Sequence, residues 1–181
     1  MARVPYLSGP DDTPESAAVW KRLRAERPVP TPNTFRAHAN APRLLDAALS
    51  YADALRDRAR VDPRLRELAI LAVGYAADSE YIVAHHRSHA LRAGVTEEQL
   101  RAVAGFEDSE AFDSRERAVM RLAHASTVDI TIDDGLWSEL KRELSIPEIV
   151  EIAQQIGWFN SAIRMQAILG VELEPEYLEH D

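Results

Sequence analysis

The chain has 181 residues, about the length of one domain and enough to bury a core without disulfides or metals. Its 21 Lys and Arg stand against 30 Asp and Glu, and the net charge of −9 opposes polyanions, so neither nucleic acid nor an anionic membrane is an expected partner. It contains no cysteine, which removes disulfides, thiolate metal ligands, CxxC redox chemistry and cysteine nucleophiles. The opening residues MARVPYLSGPDD lack an apolar stretch of signal-peptide length. The longest nearly apolar run, Leu68 to Ala77, is half of the ~20 residues that span a bilayer, so a soluble, cytoplasmic chain is expected.

Seven of the ten prolines fall in the first 42 residues and none lies between Pro63 and Pro147, leaving the middle free to be helical. Thr13-Pro14 opens a helix to about residue 26. Pro28, Pro30 and Pro32 hold an extended passage into a short helix over 34–39, and Pro42 begins another reaching about residue 58. Asp62-Pro63 repeats that start, and RLRELAILAVGYAA after it is apolar nearly all round, which means burial. Asp78 and Ser79 offer caps for a helix over 80–93, which Gly94 stops. Thr96 to Gln99 forms a capping box, and Asp113 to Glu116 starts a further helix through about residue 126. Asp133 or Asp134 begins the next, to residue 143, and Ser145-Ile146-Pro147-Glu148 opens a long helix ending at residue 169 before Gly170. The expectation is an all-α, single-domain bundle of about eight helices: a Pro-rich arm with one short helix over 1–33, then a helical domain over 34–181. The apolar segments 64–77 and 148–169 exceed what one small bundle needs, which predicts a homo-oligomer.

His85, His86 and His89 crowd one predicted helix, and their spacings of three and four place imidazoles on a shared face. A metal centre wants three or four converging ligands, and His-x-x-x-His without an HExxH glutamate does not specify one, so no metal is expected. The plainer reading of His85 and His89 is solvated side chains on an amphipathic helix. Glu67 lies one turn into the apolar helix, where an ionised carboxylate needs a partner; a helix N-terminus reached by solvent and screened by Arg64 and Arg66 is the alternative. Asn160 and Arg164 share a face of the last long helix, either as structural hydrogen-bonding groups or as a clamp for a substrate carboxylate. Trp158 and Phe159 read as core, Ser79 as a cap, and no Gly-rich phosphate loop is present.

The stretch RLRELAILAVGYAADSEYIVAHHRSHALRAGVTEEQL, flanked by PNTFRAHANAPRLLDAAL and IGWFNSAIRMQAILGVELEP, resembles the carboxymuconolactone decarboxylase family, which includes the alkyl hydroperoxidase D-like proteins. The resemblance covers about residues 28–175. It implies an all-helical fold and assembly as trimers or hexamers. The peroxidase branch carries Glu, two cysteines and His at a spacing that falls here on Glu67, Ser79, Ile82 and His86. The proton-handling ends are kept and both sulfurs are absent, so thiol peroxidase activity is not expected. The decarboxylase branch has an acidic residue close before its His where this chain has Ile82, leaving Glu80 as the nearest carboxylate. The resemblance implies proton transfer or decarboxylation on a small carboxylated or lactone substrate, without an organic cofactor. His86 would carry the proton, and Glu67 would orient its ring and stabilise its charged form. His85, Glu80 and Tyr81 would shape the pocket mouth, and Arg164 with Asn160 would hold the substrate. A helical oligomer that keeps the fold without catalysis, and a His-cluster metal enzyme, are the competing expectations.

Overall fold

A computed structural model describes residues 2–27 and 30–178; Pro28, assigned above to an extended passage, lies outside them. Among the described residues there are ten α-helices, one 3₁₀ segment and no strand. The chain divides into two units, residues 1–58 with 164–181, and residues 59–163.

The first unit holds α1 (Pro14–Glu26), α2 (Asn33–His38), α3 (Pro42–Asp57), the last residues of α9 (Ile146–Leu169) and α10 (Pro175–Leu178). The Thr13 hydroxyl accepts from the Ser16 amide at the start of α1, as the Thr-Pro signature requires. Val19, Trp20 and Leu23 of α1 then bury against Ala39 and against Leu45 and Leu49 of α3. Arg22 ties these helices by bonding Asp46 at 2.9 Å and Asp53 at 2.5 Å. The Glu174 carboxylate accepts from the Asn33 amide at 2.5 Å and so secures the C-terminal segment to α2.

The second unit holds α4 (Pro63–Ala76), α5 (Glu80–Arg92), α6 (Glu97–Ala102), the 3₁₀ segment (Val103–Asp108), α7 (Ser114–Val128), α8 (Asp134–Glu143) and residues 146–163 of α9. The near-continuous apolar character of α4 is explained by its place, since it packs on both α5 and α7 and is buried from Glu67 to Gly74. Each of its fully buried Leu and Ile side chains contributes about 1.5–3 kcal/mol. The surface assigned above to a partner copy is therefore covered, for α4, by its own unit. On α9, Ile146 and Val150 remain exposed.

Two capping boxes form where the sequence places them, at Thr96 with Gln99 and at Asp113 with Glu116. Arg64 links them. Its guanidinium donates to Glu116 at 2.8 Å, to Gln99 at 2.7 Å and to the Gly94 carbonyl. Gly94 itself stands at φ 92°, a left-handed conformation that favours glycine. At Gly74 a different constraint operates: a Cβ there would stand 3.0 Å from Val83 Cγ2 and 3.3 Å from Ile82 Cγ2, so α4 and α5 approach closely because no side chain intervenes.

Candidate active site

Glu67 projects from the second turn of α4 and His86 from the middle of α5, helices joined by only Ala77, Asp78 and Ser79. Asp78 turns the chain at φ 50°, and the Ser79 hydroxyl accepts from the Ile82 amide at 3.4 Å to cap α5. This turn folds α5 back on α4 and brings His86 Nδ1 to 2.8 Å from Glu67 Oε2. The side chain of Glu67 is only 6% exposed and that of His86 18%. With Nδ1–H donated to the carboxylate, Nε2 is the nitrogen left to exchange a proton with a substrate. The tautomer follows from that hydrogen bond.

Burial acts most strongly on the Glu67 carboxyl and pushes its pKa up. The His86 hydrogen bond and charge, with smaller contributions from Arg66 and His89, outweigh it and hold the group below its ordinary value. Arg66 lies at 3.6 Å from the other carboxylate oxygen. Arg64, expected to screen Glu67 as well, is turned away into the Glu116 and Gln99 network. Of the two readings that the sequence leaves open for Glu67, the structure has the buried carboxylate facing an imidazole.

The ring of Phe159, from α9, meets His86 edge to face with centroids 4.8 Å apart and forms an apolar wall of the site. The His89 ring lies 5.4 Å from that of His86, tilted by 34°. The sequence reads Phe159 as core and His89 as solvent-facing, and Phe159 is buried and His89 exposed; the place of both beside the His86 ring is what it does not foresee. The i, i+3 spacing of the two histidines was the available signal for His89, whereas nothing local announced Phe159. His85 stacks on Tyr81 at 4.3 Å with an interplanar angle of 19°. Glu80 lies exposed in the first turn of α5. Asn160 donates to the Thr127 hydroxyl at 2.9 Å and to the Ile156 carbonyl at 3.2 Å. Arg164 is exposed and belongs to the other unit.

The two positions aligned with the missing sulfurs have structural occupations here: Ser79 caps α5, and Ile82 is buried. Among the described residues no three His, Asp or Glu side chains converge as a metal-binding group. A separate open cleft of about 680 Å³ lies by the 3₁₀ segment, α7 and α8, lined by Glu107, Arg121, His124 and Glu139 among others, and it includes neither Glu67 nor His86.

The all-helical architecture of the described residues has the alkyl hydroperoxidase D-like fold of several solved structures. An uncharacterized peroxidase-related protein from Silicibacter sp. TM1040 is 16% identical with a TM-score of 0.81, covering 98% of this chain and 94% of that one. The alkylhydroperoxidase AhpD core of a peroxidase-related protein from Ralstonia eutropha JMP134 is 20% identical with a TM-score of 0.78, over 97% and 94%. The debrominase Bmp8, solved as a Cys-to-Ala variant in complex with 2,3,4-tribromopyrrole, is 21% identical with a TM-score of 0.79, over 96% and 95%. No protein of curated function matches the sequence.

Residues 42–125 match the carboxymuconolactone decarboxylase family model, a segment that runs from the start of α3 into α7 and includes both Glu67 and His86. The matched segment, like the rest of the chain, carries no cysteine.

Proposed function

We propose that the chain is a cofactor-free lyase or isomerase that performs proton transfer or decarboxylation on a small carboxylated or lactone substrate, without thiol peroxidase activity. The observation that carries this reading is the 2.8 Å bond between Glu67 and His86 Nδ1, an orienting acid behind an imidazole whose other nitrogen can work. In a decarboxylation the bond to the carboxylate carbon breaks, CO₂ leaves, and the electron pair moves into a neighbouring carbonyl as an enolate. His86 Nε2–H then protonates the carbon. The buried Glu67 carboxylate faces the positive charge that His86 carries. Tyr81, His85 and Glu80 lie on the same helix and would border the substrate, with Asn160 as a candidate contact for its polar end. The family, and the small cyclic molecule held by the debrominase relative, support a small-molecule substrate. A homo-oligomer, trimeric or hexameric, belongs to the same reading.

The test is CO₂ release or isomerisation with acetoacetate, 2-oxotetrahydrofuran-3-carboxylate and α-angelica lactone. Turnover by the native chain that vanishes in His86→Ala, with unchanged circular dichroism, supports the proposal. A helical assembly without catalysis would leave all three compounds untouched, and full activity in His86→Ala would remove that residue from the mechanism.

A further inference from the structure

His86 and His89 leave α5 on one side, three positions apart. Their centroid separation of 5.4 Å and 34° tilt are too open for a stacked pair. Rings set this far apart on one side of a helix can both reach a single small molecule. The surroundings of the two rings differ. His86 has Nδ1 committed to Glu67 and an edge-on contact with Phe159, while His89 reaches solvent. The charged groups bearing on His89 are His85, His86 and Arg92 from its own helix and Glu67 from α4.

We propose that His89 is the second proton-carrying group of this site, so that a substrate with an acidic C–H beside a carbonyl is isomerised by two neighbouring imidazoles. The inference rests on the proton-transfer reading above and makes it specific. Neutral His89 takes the proton as the C–H bond breaks, and the electron pair moves into the carbonyl as an enolate. His86 Nε2–H supplies the proton of the new C–H bond further along the conjugated system. The two rings end with their charges exchanged and reset through water, and no oxidant or reductant enters. Partial burial, then the charge of His86, hold the His89 pKa below the ordinary 6.5, with Arg92 and His85 in the same direction and Glu67 opposing. A base and an acid whose surroundings differ in this way can divide the two proton transfers.

The experiment has two arms on the full chain. In the first, long-range ¹H–¹⁵N spectra of ¹⁵N-histidine protein follow each ring with pH; His89 should titrate below 6.5 and move upward in His86→Gln. In the second, α-angelica lactone in D₂O reports isomerisation and deuterium uptake. There His89→Gln should be slower by about 10²-fold and should lose the acid limb of the kcat/KM profile, while His124→Gln keeps both. An unmoved His89 titration in His86→Gln, or native rate and native acid limb in His89→Gln, overturns the histidine pair and leaves Glu67 and His86 in place. A native chain inactive on all three compounds named above overturns the proton-transfer reading itself.

Discussion

On the Glu67 carboxyl two effects compete, burial raising its pKa and the His86 contact lowering it, and the second prevails. The folded chain therefore holds this proton less tightly than the unfolded chain, whose ordinary value is 4.5. The resulting stability is fully present above 4.5 and is lost as pH falls through the lower folded value. Urea unfolding of Glu67→Gln between pH 3 and 6 should show a smaller acid loss than the native chain, and its turnover should fall at least about tenfold, since a neutral amide cannot meet the charge on His86. An unchanged rate would assign Glu67 to structure. His38 offers a second titration: burial lowers its pKa, and Nε2 has no hydrogen-bond partner among the described residues. Its contribution is present above 6.5 and is lost as pH falls from there through the lowered value. His38→Phe should flatten that stretch of the stability curve in the same urea series and raise the midpoint by an amount worth about 1 kcal/mol.

Between elements, the position of α5 on α4 decides the site geometry. Gly74→Val would place new carbon against Val83 and Ile82, forcing the helices apart at a cost of about 1–3 kcal/mol. We expect a lower thermal midpoint together with a slower proton-transfer rate, the second because Glu67 and His86 no longer meet at hydrogen-bond distance. Glu116→Ala is a contrasting case away from the site. It leaves Arg64, Gln99 and the Asp113 amide short of their acceptor and should cost about 2–3 kcal/mol in a denaturant titration without moving catalysis. The capping residues that announce these helices were legible because their chemistry is local, a side-chain oxygen three positions from the amide it accepts. Glu67 and His86 were legible through their family spacing. The turn of Arg64 toward Glu116, 52 positions away, and the approach of Phe159 to His86 were not, since packing alone sets them. The 3₁₀ segment also escaped, because Gly105 interrupts its helical backbone and Ala102 brings no side-chain cap. Four-residue α10 is too short for any periodic signal.

At the scale of the whole molecule, the first unit depends on α1, whose Val19, Trp20 and Leu23 are each 3% exposed or less. Removing residues 1–33 should therefore unfold or greatly destabilise that unit, seen as a separate or lost melting transition in calorimetry. No described helix is long and apolar enough to cross a membrane. Apolar side chains nonetheless stand outside, with Ile130 82% exposed at φ 67° and Ile146 and Val150 about half exposed. A β-branched residue at positive φ is costly, and such a surface agrees with the homo-oligomer proposed above. Light scattering should give a mass that is a multiple of 20.3 kDa, and a monomer would remove the assembly from the proposal. The acid and the imidazole are closed by only nineteen positions of chain, so little entropy opposes their meeting and no distant strand of sequence has to arrive first. The acid–imidazole pair is thus closed within one helical hairpin, and only its aromatic wall, Phe159, comes from a distant part of the chain.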